Sequence, residues 1–466
     1  MRKIIASGLF ACLFLLFSDD LFSQQKACIS NICVTNKGIT KSQIILRELP
    51  FKQGDSVEIQ NIDHLLVIAK ENLLNLSLFN FVYVNYNINT ENQNNIDISI
   101  TTEERWYIWP MINLVLEDRN LSSWLNRGDM GRVTLDAGMK AYNLWGLNHI
   151  FTCSIKSGYQ RGFRIEYNNI VIDKKGALMM NLGLYREYSH TENILIKDNT
   201  PYYYKSDNFI VNKYFGMVGF IYRPRIRIRH SISLMYENSR ISGTILDASP
   251  DYWGGCDTIR KGYTIDYTYS SDQRDNNKYP LDGYFISGKF KGFITDNNKF
   301  RYGQLTTNMQ YYYPLTDRWN MSASITAGIS AKNKHAYIFD KAIGYENAII
   351  RGMEYYVADG QHYVALNPTI KYCIIPTKVV VIDWLSFLKK FNKIHFALYG
   401  KTYFDSGYTY SGYSIGTNNS LSNKLLYSGG FGLDFVTYYD INLSIEYSFN
   451  MLLKSGVFFT FKGPLI

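Results

Sequence analysis

From about Tyr107 to its last residue the chain alternates apolar and polar residues in short stretches. Between Trp319 and Ser330, the residues Trp319, Met321, Ala323, Ile325, Ala327 and Ile329 fall on one face, and Asn320, Ser322, Ser324, Thr326 and Ser330 on the other. Ile441, Leu443, Ile445, Tyr447 and Phe449 alternate in the same way with Asn442, Ser444, Glu446 and Ser448. A side-chain period of two means a strand with one apolar and one polar face. Many such strands of roughly 10 residues are the pattern of a transmembrane barrel with lipid outside and a wet lumen inside. A soluble propeller would show a fixed repeat of roughly 40 residues, and none is visible. The alternation places strands at 107–116, 130–142, 148–160, 163–170, 177–189, 213–223, 228–240, 261–271, 282–294, 300–313, 319–331, 362–374, 393–405, 426–438, 441–450 and 456–462. That is about sixteen antiparallel strands, an even number as single-chain bacterial barrels require. Long gaps such as 190–212, 241–260, 332–361 and 406–425 alternate with short ones, which separates an outer from an inner rim. The gap 375–392 is long for an inner turn, and a small helix is expected there.

Residues 24–104 read differently. Ile29 to Val34 predicts a strand, and Thr40 an N-cap for a helix through Leu49. A second helix is expected from about Glu58 to Leu76, because Ile59, Ile62, Leu65, Leu66, Ala69, Leu73 and Leu76 recur at helical spacing. Two strands follow, 81–88 and 96–101. The order strand, helix, helix, strand, strand is that of a small two-layer α/β domain. Before it, Met1-Arg2-Lys3, an apolar run from Ile4 to Phe17 and Ser23 predict a cleaved secretory signal over residues 1–23. The barrel then occupies 105–466, which places the chain in an outer membrane.

Composition refines this picture in three places. The chain has 39 Tyr and 7 Trp, side chains suited to membrane–water interfaces. The net charge of +9 comes with no basic block interleaved with stacking residues, so nucleic acid is not an expected partner. Beyond Cys12 in the signal, five cysteines remain at scattered positions, so no disulfide framework is expected. His-Glu-x-x-His and Cys-x-x-Cys spacings do not occur, and no metal, cofactor or catalytic residue is expected. Gly412-Tyr413-Ser414-Ile415-Gly416 matches a nucleophile pattern, but it sits in a loop between barrel strands, without the strand, turn and helix that chemistry requires.

Several motifs carry a resemblance. Residues 41–82, from Lys41-Ser42-Gln43-Ile44-Ile45-Leu46 through Gly54-Asp55 to Leu78-Phe79-Asn80-Phe81-Val82, resemble a POTRA domain. Ile350-Arg351-Gly352-Met353 is similar to the loop motif of the BamA/TamA-type outer-membrane assembly superfamily, with Met353 at its aromatic position. Phe404-Asp405-Ser406-Gly407 is similar to that family's strand motif, with Asp one place early. Asp272-Gln273-Arg274-Asp275 with Pro280 and Gly283 resembles its turn between strands eight and nine, and the ending from Glu446 to Lys462 also resembles it. The resemblance implies one POTRA domain in the periplasm ahead of a Gram-negative outer-membrane barrel. It implies non-catalytic assembly, insertion or translocation of unfolded outer-membrane or secreted proteins, with outer-membrane lipid and accessory lipoproteins as further partners. A transporter for one secreted partner, a passive porin and an adhesin are the alternatives.

Three sites are expected. Asp405 shares the lumen face of its strand with Ala397, Lys401 and Tyr403, and Arg351 lies in a loop long enough to fold inside. From the residues alone they can also be two separate solvated charges; the resemblance implies that Arg351, next to Gly352, contacts Asp405. The edge of strand 81–88, with Phe81, Val82, Val84 and Tyr86, is expected to receive clients by strand addition. The seam between strands 107–116 and 456–462, marked by Pro110, Gly456, Phe459 and Phe461, is expected to be weakly closed and able to open sideways.

Overall fold

The computed structural model describes residues 26–89, 94–116, 133–255, 257–345, 348–381, 393–412, 419–437 and 441–462. The expected signal segment 1–23, residues 413–416 of the nucleophile-like pattern and Gly463-Pro464 lie outside them.

The N-terminal unit contains β1 (Lys26–Asn36), α1 (Ser42–Leu46), β2 (Ser56–Glu58), α2 (Ile62–Asn75), β3 (Phe79–Ile88) and β4 (Asn95–Glu104). Its sheet runs in the order β2-β1-β4-β3, with β1 and β4 parallel. Ile29, Ile44, Ile45, Leu73, Phe79 and Ile100 fill the space between sheet and helices. Both helices are shorter than their apolar patterns predict, and α2 begins at Ile62 after a 3-10 turn at Ile59–Asn61. Thr40 does not cap α1, whose N-cap is Lys41 without a side-chain bond. The Thr40 hydroxyl is instead given to Glu104, which also accepts the Thr40 and Ile39 amides at 2.7 and 3.1 Å and the Asn36 amide at 3.0 Å. Burial works to raise the Glu104 pKa, but the bonds from Thr40 and Asn36 outweigh it, and the carboxyl titrates below its ordinary value. This hub ties the first barrel segment to the domain, because Tyr107 and Asn143 also reach the Thr40 hydroxyl at 3.2 and 2.8 Å.

The barrel is an antiparallel sheet of sixteen strands. They are β5 (Ile108–Leu116), β6 (Val133–Leu144), β7 (His149–Gly158), β8 (Gln160–Val171), β9 (Leu178–Ser189), β12 (Val211–Arg225), β13 (Ile228–Ile241), β14 (Ile259–Asp272), β15 (Gly283–Thr295), β16 (Arg301–Pro314), β17 (Trp319–Lys332), β18 (His362–Val381), β19 (Lys393–Tyr410), β20 (Leu425–Thr437), β21 (Asn442–Asn450) and β22 (Ser455–Lys462). Alternation sets their faces: Trp319, Met321, Ile325 and Ile329 are exposed on the outside, whereas Asn320 and Thr326 are buried inside. The outward residues form the lipid-facing band.

Two of the gaps differ from what the alternation predicts. The first, 190–212, carries a hairpin, β10 (Thr191–Lys197) with β11 (Thr200–Lys205). Its tip residues Asp198 and Asn199 have φ of 52° and 59°, the left-handed region that these residue types tolerate. The tip crosses to other loops: the Asn199 carbonyl accepts the Val357 amide at 2.8 Å, and its side-chain oxygen accepts the Ser420 amide at 2.7 Å. Ile194, Ile196, Tyr252, Trp253, Tyr337 and Val357, from three outer connections, close into one apolar cluster there. The second gap, 375–392, holds no helix in its described part. Residues 375–381 continue β18 and pair with the start of β19, as suits the β-branched run Val379-Val380-Val381. The remainder, 382–392, is outside the described residues.

Candidate functional site

Arg351 lies inside the barrel on Asp405. Asp405 is fully buried on the inner face of β19, and the long connection 333–361 returns into the lumen to reach it. Oδ2 accepts the Arg351 backbone amide and Nε, each at 2.9 Å, and Oδ1 accepts Nη2 at 2.6 Å. A guanidinium fork on both carboxylate oxygens is the strong, geometrically selective form of an ion pair. Nη2 also donates to Thr369 Oγ1 on β18 at 2.9 Å, and the guanidinium carbon lies 3.8 Å from the centre of the Tyr403 ring. The backbone around it is held too. Ser428 on β20 donates to the Arg351 carbonyl, and Asn450 on β21 donates to the Gly352 carbonyl at 2.7 Å. Gly352 has φ of 83°, and a Cβ there would come within 2.7 Å of Ser448 Cβ, so the position requires glycine twice over. Met353, at the motif's aromatic position, is buried with Ile343, Ile350, Leu421 and Leu426. One loop is thereby fixed to β18, β19, β20 and β21.

The same loop reaches the last strand. Tyr355 packs on Phe458 of β22, with ring centres 5.5 Å apart. Phe458 is buried and points inward; Phe459 and Phe461 are exposed on the lipid face. Gly456 lies beside the Phe458 ring, which a Cβ would meet at 3.3 Å. On the opposite end of the sheet, Pro110 is exposed and paired across to Met139 of β6. The sheet order begins at β22 and ends at β5, and among the described residues no ladder joins the two. Their described parts are also short, at 8 and 9 residues, next to 20 in β18 and 18 in β19.

Beneath the Arg351–Asp405 pair lies a second inner cluster that sequence reasoning missed. Lys401 Nζ sits 2.6 Å from Asp434 and 2.6 Å from Glu446, all three side chains buried. Ser444 also donates to Asp434 at 2.6 Å. Alternation does place Lys401 in the lumen, but its partners depend on the register of β19 to β21, which no local pattern encodes.

The N-terminal domain is docked by charged pairs on the inner rim of short turns, the rim near it. Arg223 forms a fork with Glu48 at 2.9 Å to each oxygen, and Arg227 donates to Asn72 and Glu71, each at 2.9 Å. In β3, Val82, Val84 and Tyr86 turn toward the domain's own core, so they are not a side-chain surface for a partner. The Phe81 ring packs against His395 of β19 at 5.1 Å. What β3 does present is backbone: it is the end strand of its sheet, paired only with β4 among the described residues. No group of three or more His, Cys, Asp or Glu is placed to hold a metal ion among the described residues.

Residues 143–361 match the model of the Omp85 superfamily domain. Among solved structures, BamA from Haemophilus ducreyi lacking POTRA domains 1–3 aligns over 93% of this chain and 84% of its own, at 12% identity and a TM-score of 0.51. CdiB from Escherichia coli aligns over 94% of this chain and 76% of its own, at 12% identity and a TM-score of 0.53. At these identities the likeness is one of fold. No curated protein matches the sequence.

Proposed function

We propose that this chain, which matches the Omp85 superfamily domain over residues 143–361, inserts other proteins into the bacterial outer membrane through the seam between the two end strands of its barrel sheet. The observation that carries this reading is the sheet order, which among the described residues leaves β5 and β22 as the two end strands with no ladder between them. An unpaired edge in hydrocarbon leaves backbone groups unsatisfied, and a client strand that pairs there satisfies its own groups as well. A passive pore has no use for such an edge. Transport of a secreted partner through the lumen is disfavoured by the loop 333–361, which occupies the lumen and is fastened to four strands. The N-terminal domain reads as a POTRA domain on the periplasmic side, where the near-rim turns meet it. Depleting the protein and comparing outer-membrane proteomes tests the reading. Loss of many barrel proteins supports it. Loss of a single secreted partner points to secretion, and loss of neither points to a pore or adhesin.

The POTRA-like domain first receives the client on the edge of β3. Consecutive backbone N–H groups in an antiparallel strand point alternately into and out of the ladder. Of Tyr83 and Val84, one therefore donates to β4 and the other faces outward. Proline at the outward position is expected to leave the domain folded, by circular dichroism, and to weaken binding of an unfolded barrel protein about tenfold, roughly the worth of one or two lost backbone bonds. Unchanged binding by the folded variant removes the edge as the site.

A further inference from the structure

The turn between β14 and β15 does not point away from the barrel. It folds under the lumen and touches two bodies at once. At its near end Asn277 pairs with Asn75, the last residue of α2. The Asn277 amide donates to the Asn75 side-chain oxygen at 3.0 Å, its side chain donates to the Asn75 carbonyl at 3.2 Å, and the Asn75 side chain donates to the Asp275 carbonyl at 3.2 Å. At its far end the Tyr279 hydroxyl donates to Asp434 of β20 at 2.9 Å. The Tyr279 ring packs on Tyr399 with centres 4.9 Å apart, and Lys371 Nζ lies 4.1 Å from its centre. Leu281 enters the same apolar cluster as Tyr279, with Cys373 and Ala397.

The turn is stiffened between these ends. The Asp275 carboxylate accepts the Leu281 and Asp282 amides at 3.1 and 3.3 Å, and Asn276 accepts the Lys278 and Tyr279 amides at 2.7 and 3.2 Å. Arg274 is clamped by Asp272 at 2.6 Å and donates to Gln310 at 3.1 Å. Asp434, where the turn ends, shares Lys401 with Glu446 of β21. Glu446 in turn stands opposite Phe458 of β22 in the ladder. A continuous series of polar contacts and ladder pairing thus runs from α2 to the strand at the seam.

We infer that the turn 273–282 is a strut that couples docking of the N-terminal domain to the stability of β20 and β21, with Tyr279 as its positioning residue. Its use in client handling rests on the insertion reading above; the coupling itself does not. A stiff element held at both ends transmits displacement, whereas a floppy turn with the same contacts would absorb it. When client capture shifts α2, the strut loosens β21 and β20, the two strands next in from β22.

Hydrogen exchange by mass spectrometry on the whole protein in lipid nanodiscs tests this without a client. Asn75→Ala is expected to speed exchange in 425–437 and 442–450 about fivefold, roughly what one net hydrogen bond is worth, and to leave 228–241 unchanged. Asn277→Ala cuts the same joint from the barrel side and is expected to do likewise, which covers the case in which Asn75→Ala disturbs its own helix. Tyr279→Ala is expected to speed exchange in the same two strands, and adding Asn75→Ala to it is expected to change them no further. An effect of Asn75→Ala and Asn277→Ala confined to α2 and the turn, or one that adds in full on top of Tyr279→Ala, would overturn the coupling. Failure of the insertion reading shows instead in the depletion proteome and leaves these exchange rates as they are.

Discussion

Replacing Arg351 by alanine is expected to lower client insertion at least about tenfold and to free the loop 333–361 for proteolysis. The cause lies with the partner left behind. Asp405 is fully buried and receives three bonds from this one residue, two of them from the guanidinium. Removing one member of a buried pair costs about 3–5 kcal/mol, because a desolvated charge loses its compensation. The Arg351 side chain keeps 20% of its surface exposed, so the lumen supplies some water and about 2–3 kcal/mol is the better figure here. Lysine should recover little. Its single ammonium cannot serve both Asp405 oxygens and Thr369 together, and it stacks less well on Tyr403. The double variant Arg351→Ala, Asp405→Ala should be more stable than Arg351→Ala alone, since it removes the orphaned charge along with its partner. Thermal unfolding, loop proteolysis and insertion rate read the three effects separately. A fully active Arg351→Lys with a protected loop would show that the fork does not matter.

The barrel was legible in the sequence because lipid outside and polar lumen inside imprint a period of two on every strand. Parity alone put Asp405 and Lys401 in the lumen, and their buried side chains follow from it. Contacts that depend on register were not legible. Nothing near Glu446 or Asp434 signals that Lys401 will fall between them. Asn75 and Asn277 stand 202 residues apart and meet only because the near-rim turn folds inward. Thr40 shows a local rule overridden: its hydroxyl satisfies the buried Glu104 better than it would an exposed helix end. The hairpin tip at Asp198-Asn199 did carry a signal, two residues that accept left-handed backbone between runs of strand formers. The Val379-Val380-Val381 run carried another, since β-branched residues favour the strand that β18 continues through them.

Tying the two ends of the barrel sheet together is expected to stop insertion almost completely. β5 and β22 share no ladder among the described residues, and the described parts of both are short. Opening there breaks few bonds, whereas opening any interior pair of strands breaks a full ladder such as the one joining β18 to β19. Ile112 and Phe459 sit near the middle of the two end strands, both on the lipid face. Cysteines at these positions alter no lumen contact, and a bridge between them fixes the strands at the separation a disulfide allows, about 5–6 Å between Cα atoms. The measurement is the insertion rate of an unfolded barrel protein into liposomes holding the Ile112→Cys, Phe459→Cys variant in an otherwise cysteine-free chain, oxidised and then reduced. Insertion is expected near the rate without any factor when bridged, and recovery of the parent rate after reduction. Equal rates in the bridged and reduced forms would contradict opening at the seam.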